Sequence, residues 1–156
     1  MSDVIGTVIA KETRISVIIN MVLSAVFFFL AFGLSPKALM TAAPDHLALD
    51  YIPQSLAIGF FAALVPALIM SGKRRKGQID SVDSNAVPFK TNLLRAVGFA
   101  LAAGGVGLLL MFALPLISAG MSYFPALAMK VIYGGVLAFL VTPRALRLTL
   151  STQKIQ

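Results

Sequence analysis

Four stretches of this chain, residues 15–34, 52–71, 96–117 and 124–142, are almost wholly apolar, and the only charge within any of them is Lys130. At a rise of about 1.5 Å per residue, some twenty helical residues cover roughly 30 Å, the hydrocarbon thickness of a bilayer. A backbone in lipid must satisfy its own polar groups, which a helix does within each span. The expected fold is therefore an all-α membrane protein with four transmembrane helices. Composition agrees, because 156 residues with 58% hydrophobic and 12% charged content cannot hide that much apolar surface in one small water-soluble domain.

Lys11 and Arg14 precede the first stretch, and Ala31-Phe32-Gly33 has the small residues of a signal-peptide cleavage site. Its apolar run exceeds the roughly 7 to 15 residues of a signal core, so it is expected to remain as a span. Cysteine is absent, which excludes a disulfide framework, a thiolate metal site and thiol redox chemistry.

The basic residues set the threading. Lys11, Arg14, Lys73, Arg74, Arg75, Lys76, Lys90, Arg95, Arg144, Arg147 and Lys154 all fall on one side of the implied membrane, while the opposite side holds only Lys37 beside Asp45 and Asp50. The positive-inside rule then places both termini in the cytoplasm, in a membrane of bacterial inner-membrane type. The net charge of +7 is explained by these flanks and by anionic head groups, not by nucleic acid. Lys73, Arg74, Arg75 and Lys76 form the densest run, which reads as a topology signal or an anionic-lipid contact.

An internal echo divides the chain. Tyr51-Ile52-Pro53 recurs 72 residues later as Tyr123-Phe124-Pro125, and Ala62-Ala63 as Gly134-Gly135. The halves then read as two tandem parallel helical hairpins, residues 15–72 and 93–148, about an axis along the membrane normal. Residues 1–14 form an N-terminal interfacial segment, where Val4, Ile5, Val8 and Ile9 share a helical face; 73–92 a basic and polar linker; and 149–156 a tail. Ser35-Pro36 suggests a short helix start in the first outer loop. The Tyr-x-Pro pair has a second explanation as an interfacial anchor followed by a helix start.

Small residues mark expected packing faces: Gly59, Ala63 and Ala67 on the second span, Gly98, Gly104, Gly105 and Gly107 on the third, Gly134 and Gly135 on the fourth. In lipid, apolar burial does not drive helix association, so close backbone approach matters more. Spans two and three are expected to pack through these stripes, leaving Phe27, Phe28 and Phe29 partly toward lipid or a partner. Pro66 should open the helix backbone near Ala62.

Polar residues inside the membrane are the candidate functional sites. Ser16, Asn20 and Ser24 recur every four residues on one face of the first span, either bonding between helices or lining a path. Lys130 is a lone cation that can snorkel outward, pair with Asp50 or Asp45, or meet an anionic substrate. His46, the sole histidine, has no second His and no Cys to complete a metal or haem site, so no cofactor is expected.

An enzyme is not expected, because every carboxylate lies in a tail or loop, away from any intramembrane nucleophile. The size and four-span layout are similar to those of the membrane-bound glutathione and eicosanoid enzymes, yet Lys11-Glu12-Thr13-Arg14 does not match that family's Glu-Arg and Arg-Ala-x-x-Asn pattern. Small multidrug exporters share the layout but centre on an intramembrane carboxylate that is missing here. The repeated hairpin closed by basic residues loosely resembles small bacterial inner-membrane proteins, a likeness too generic to imply a function. Two readings follow: an accessory or scaffold protein that packs with itself or a larger membrane complex, and a small oligomeric transporter or channel.

Overall fold

Each of the four apolar stretches forms a helix longer than itself, although the first helix stops at Phe32, two residues short of the end of its stretch. The computed structural model describes residues 2–76 and 87–150. It gives α1 (Ser2–Phe32), β1 (Ala38–Met40), α2 (Tyr51–Arg75), α3 (Phe89–Ile117), β2 (Gly120–Ser122) and α4 (Tyr123–Leu150). All four helices are long and apolar enough to cross a membrane, so the chain is an all-α integral membrane protein with one small strand pair. The polar part of the linker, 77–86, and the tail with Lys154 lie outside the described residues, as do the side chains of Ser2, Asp3 and Val4.

The segment expected to lie apart at the interface, 1–14, is from Ser2 onward the start of α1, one continuous helix of 31 residues. Ile5, Val8 and Ile9 use their shared face to pack against Met70, Leu146 and Leu150 at the ends of α2 and α4. Burial against protein thus takes the place of burial in head groups. At its other end α1 stops at Gly33, whose φ of 78° lies in the left-handed region and whose N–H donates to the Phe29 carbonyl at 2.9 Å. Only glycine takes that conformation without a steric penalty.

No helix starts at Ser35-Pro36. The chain instead runs extended into β1, which pairs antiparallel with β2, Leu39 opposite Met121. The short connection between α3 and α4 presents carbonyls that no helix satisfies, and the loop between α1 and α2, which we call the outer loop because it lies at the end of the bundle away from the chain's termini, supplies donors for them. Thr41 Oγ1 donates to the Ser118 carbonyl at 2.7 Å, and Thr41 N–H to that of Ala119 at 3.0 Å. Beneath this cap Phe28, Leu39, Leu47, Tyr123 and Ala126 form a closed apolar cluster. Phe28 is therefore core and not lipid-facing: its ring lies 5.1 Å from that of Tyr123 and 5.0 Å from that of Phe32, while Phe27 alone of the Phe27–Phe29 run is mostly exposed. The loop folds back over the helix end, which a span-by-span reading does not anticipate.

The main neighbours are α2 with α3, α1 with α4, and α2 with α4, whereas α1 and α2 hardly touch, nor do α3 and α4. The two expected hairpins are thus not packing units. Each half lays its first helix on the second helix of the other half, and exchanging the halves leaves this pattern of neighbours unchanged. Small residues choose the pairs. A Cβ on Gly59 would lie 2.7 Å from the Phe99 carbonyl and the Ala103 side chain, and one on Gly107 would lie 2.6 Å from the Tyr51 carbonyl, so α2 and α3 meet backbone to backbone. Gly104 meets Leu56 in the same interface, and Ala63 and Ala67 are buried. On the other side Gly134 faces Ser24 and Asn20, and Gly135 faces Met21 and Val17. Gly98 and Gly105 do not join this packing: both are exposed, and a Cβ on either would meet nothing within 4 Å. They lie on the face of α3 turned away from α2.

Candidate functional site

Most of the polar residues of the spans gather in two buried clusters. The outer one is built where α2 begins. Asp50 occupies the N-cap position of α2, but its carboxylate makes no cap hydrogen bond and pairs instead with the Lys130 ammonium of α4. An Asp at this position ordinarily binds the first free N–H groups of its own helix. Lys130 is only 1% exposed, against 29% for the Asp50 side chain, and its Nζ lies 4.6 Å from the Tyr51 ring centroid and 5.9 Å from that of Phe32. Of the roles open to this lysine, the fold uses pairing with Asp50. Asp45 is taken by Lys37, at 2.7 Å, and also accepts the Met40 N–H.

Gln54, one turn along α2, joins three helices. Its Nε2 donates to Ser24 Oγ of α1 at 2.9 Å and to the Lys130 carbonyl of α4 at 3.1 Å. Ser55 donates to the Tyr51 carbonyl at 2.5 Å and shares a 2.5 Å hydrogen bond with Tyr133 of α4. Tyr51 and Tyr133 stack edge to face at 5.1 Å. Tyr51 and Tyr123, readable as head-group anchors, are both buried, because the folded outer loop covers the helix ends. The sequence signal for Gln54 is that it is the lone amide in the second apolar stretch.

The inner cluster forms around Pro66. Proline has no N–H, so the Ala62 carbonyl four residues earlier loses its helical partner. Thr142 Oγ1 of α4 replaces it at 3.0 Å and lies 2.8 Å from Ser16 Oγ of α1. Asn20 Nδ2 donates to the Ser16 carbonyl at 2.8 Å. Ser16, Asn20 and Ser24 are all buried, so the stripe faces protein, yet it divides between the clusters. No hydrogen bond among the described residues joins the two. Ser16 and Asn20 also edge a cleft of about 210 Å³ between α1 and α2, walled by Phe61, Val65 and Pro66.

At the terminal end of the bundle the basic run is split. Arg74 is buried and donates to the Thr149 carbonyl at 2.6 Å, Lys73 pairs with Glu12 at 3.2 Å, and only Arg75 and Lys76 remain exposed. Asn92 donates to Ser71 at 3.1 Å, closing α3 onto α2. His46 is exposed in the outer loop with a left-handed φ of 54°. Among the described residues no three of His, Cys, Asp and Glu come together as a metal site would require. No protein family, curated protein or solved structure matches the chain.

Proposed function

We propose that this integral membrane protein acts by assembly and not by chemistry, as an accessory or scaffold subunit that packs with copies of itself or with a larger membrane complex. What carries the reading is the free face of α3. Gly98, Ala102 and Gly105 lie at i, i+4 and i+7 on one side of that helix, all exposed, with open space beside both glycines. A lipid-facing surface has no need of small residues, whereas a docking helix needs them to approach closely. α3 is also the least buried of the four spans. Ser16, Asn20, Ser24 and Lys130, the polar residues of the spans, make hydrogen bonds or an ion pair within the bundle, which fits a structural use of these groups. The repeat of helix pairings supports an origin by duplication. The basic end supports a cytoplasmic placement of both termini in a bacterial inner membrane.

The test is the size of the particle released from native membranes in mild detergent. The chain should travel in a defined species larger than one copy. Gly98→Leu with Gly105→Leu should release it as a folded single chain, since neither position is packed within the fold. A wild-type monomer, or a variant that stays in the assembly, sinks the proposal. The cleft edged by Ser16 and Asn20 favours a second reading, an oligomeric transporter or channel; in that case Asn20→Leu would abolish flux in reconstituted vesicles without changing particle size.

A further inference from the structure

Arg14, Arg144 and Arg147 line one groove of about 1140 Å³ between α1 and α4. They come to it from both sides. Leu140, Arg144 and Arg147 follow one face of α4 at i, i+4 and i+7, while Arg14, Val17 and Ile18 lie within about one turn of α1. Three like charges gathered in this way call for a shared anion, and the fold does not provide one. Glu12, Asp45 and Asp50 are the carboxylates whose side chains are described, and they pair with Lys73, Lys37 and Lys130. No salt bridge among the described residues reaches the three arginines. Arg144 Nη1 donates to the Leu140 carbonyl at 2.6 Å, which steadies the guanidinium along its own helix.

The groove wall is apolar on both sides of Arg14, at Ile5, Ile9 and Ala10 toward the N-terminus and, one turn from Arg14 and Arg144 toward the middle of the spans, at Val17, Ile18, Phe139 and Leu140. A free phosphate would neutralise the arginines and leave that wall bare. A phospholipid joins an anionic head to an acyl chain at this spacing, and guanidinium groups take phosphate oxygens through paired N–H donors. We propose that this groove is a binding site for an anionic phospholipid of the leaflet on the side of the chain's termini. The phosphate lies between Arg14, Arg144 and Arg147, and an acyl chain runs along Val17, Ile18, Phe139 and Leu140. The site is separate from the basic run at Lys73–Lys76, part of which is folded inward.

The chain contains no tryptophan, so a single one reports on a single place. Ile18→Trp puts the reporter in the groove, and Leu101→Trp puts it on the exposed face of α3; the native side chains are 62% and 67% exposed. In reconstituted vesicles, quenching by dibrominated phosphatidylglycerol is compared with quenching by dibrominated phosphatidylcholine. The Ile18→Trp protein should favour the anionic lipid by roughly fivefold or more in relative association, and the Leu101→Trp protein by a factor close to one. Adding Arg14→Gln, Arg144→Gln and Arg147→Gln should bring the groove down to the value on α3. Equal preference at the two tryptophans, or an unchanged preference without the arginines, overturns the assignment. If the triple substitution does not fold, the two-tryptophan comparison in chains with all three arginines decides alone.

Discussion

Lys130 and Asp50 are unequal partners, and the inequality predicts which loss is worse. The lysine is 1% exposed and lies against the rings of Tyr51 and Phe32, so without Asp50 its charge is left buried and unpaired. Breaking a buried pair from that side destabilises by about 3 to 5 kcal/mol. Asp50 is 29% exposed at the outer end of α2 and can hydrate once its partner is gone. Asp50→Asn should therefore lower thermal stability far more than Lys130→Met, and the double substitution should recover most of the difference. Equal losses from the two single substitutions would show that the lysine charge does not depend on the pair. The polar span residues Ser16, Asn20, Ser24 and Lys130 were legible because a hydrogen-bonding group in an apolar run has to find protein. Gln54 carries the same signal as the lone amide of its stretch; the partners of Gln54 and Thr142, the carbonyl of Lys130 and that released by Pro66, were not legible, because they are defined only by how helices cross.

Among helices, the spans were legible from hydropathy, since that property is local to each stretch. Their neighbours were only half legible. The α2 and α3 stripes were readable as a pair, but the face each glycine occupies depends on rotation within the bundle, and Gly98 and Gly105 are turned outward. The outer cap left no local signal, because β1 and β2 are short and exist through pairing across the chain. The glycine geometry gives opposite expectations for one substitution at two places. Gly59→Ala would drive a methyl to 2.7 Å from the Phe99 carbonyl, so it should weaken the α2–α3 contact by ~1 to 3 kcal/mol. Gly105→Ala meets nothing and should be neutral or stabilising by up to about 1 kcal/mol through helix propensity. Melting temperatures of the dissociated single chain in one detergent compare them, since in an assembly Gly105 lies on the proposed docking face, and a loss at Gly105 as large as at Gly59 would put the packing face elsewhere.

At the scale of the whole molecule the two ends differ in what secures them. The outer end is closed by the loop cap, where Asp45 accepts both the Lys37 ammonium and the Met40 N–H. Those bonds, that to Lys37 foremost, hold its carboxyl below the ordinary carboxylate value. A lowered value means that the bonds stabilise the cap above the unfolded value of about 3.9 and are lost as pH falls through the folded one. The Met40 amide resonance should titrate with a midpoint below ~3.9, and Lys37→Met should raise that midpoint. A midpoint unmoved by the substitution would mean that the ammonium does not set it.

The crossing of the halves is the feature that most separates this fold from a row of two hairpins, and the absence of cysteine makes it directly testable. Side by side, hairpins would bring α1 chiefly against α2, and a linker cut would leave each half whole but held to the other only by its flank. In the observed arrangement the main partner of α1 is α4, and a Cβ on Gly135 would lie 2.9 Å from Met21 Cγ. Met21→Cys removes the obstructing side chain as Gly135→Cys fills the gap, bringing two thiols within reach of the ~3.8 Å Cβ separation of a disulfide. Mild oxidation of the double-cysteine chain in membranes should therefore join α1 to α4. After cleavage at a protease site engineered between residues 76 and 87, the two halves should then run as one band on a non-reducing denaturing gel and separate on reduction, while Met21→Cys alone leaves them apart. Halves that separate under oxidising conditions in the double variant would return α1 to a hairpin with α2, and with it would go the docking of each half's first helix onto the other half that sets the neighbours of α3 and so the face it leaves free.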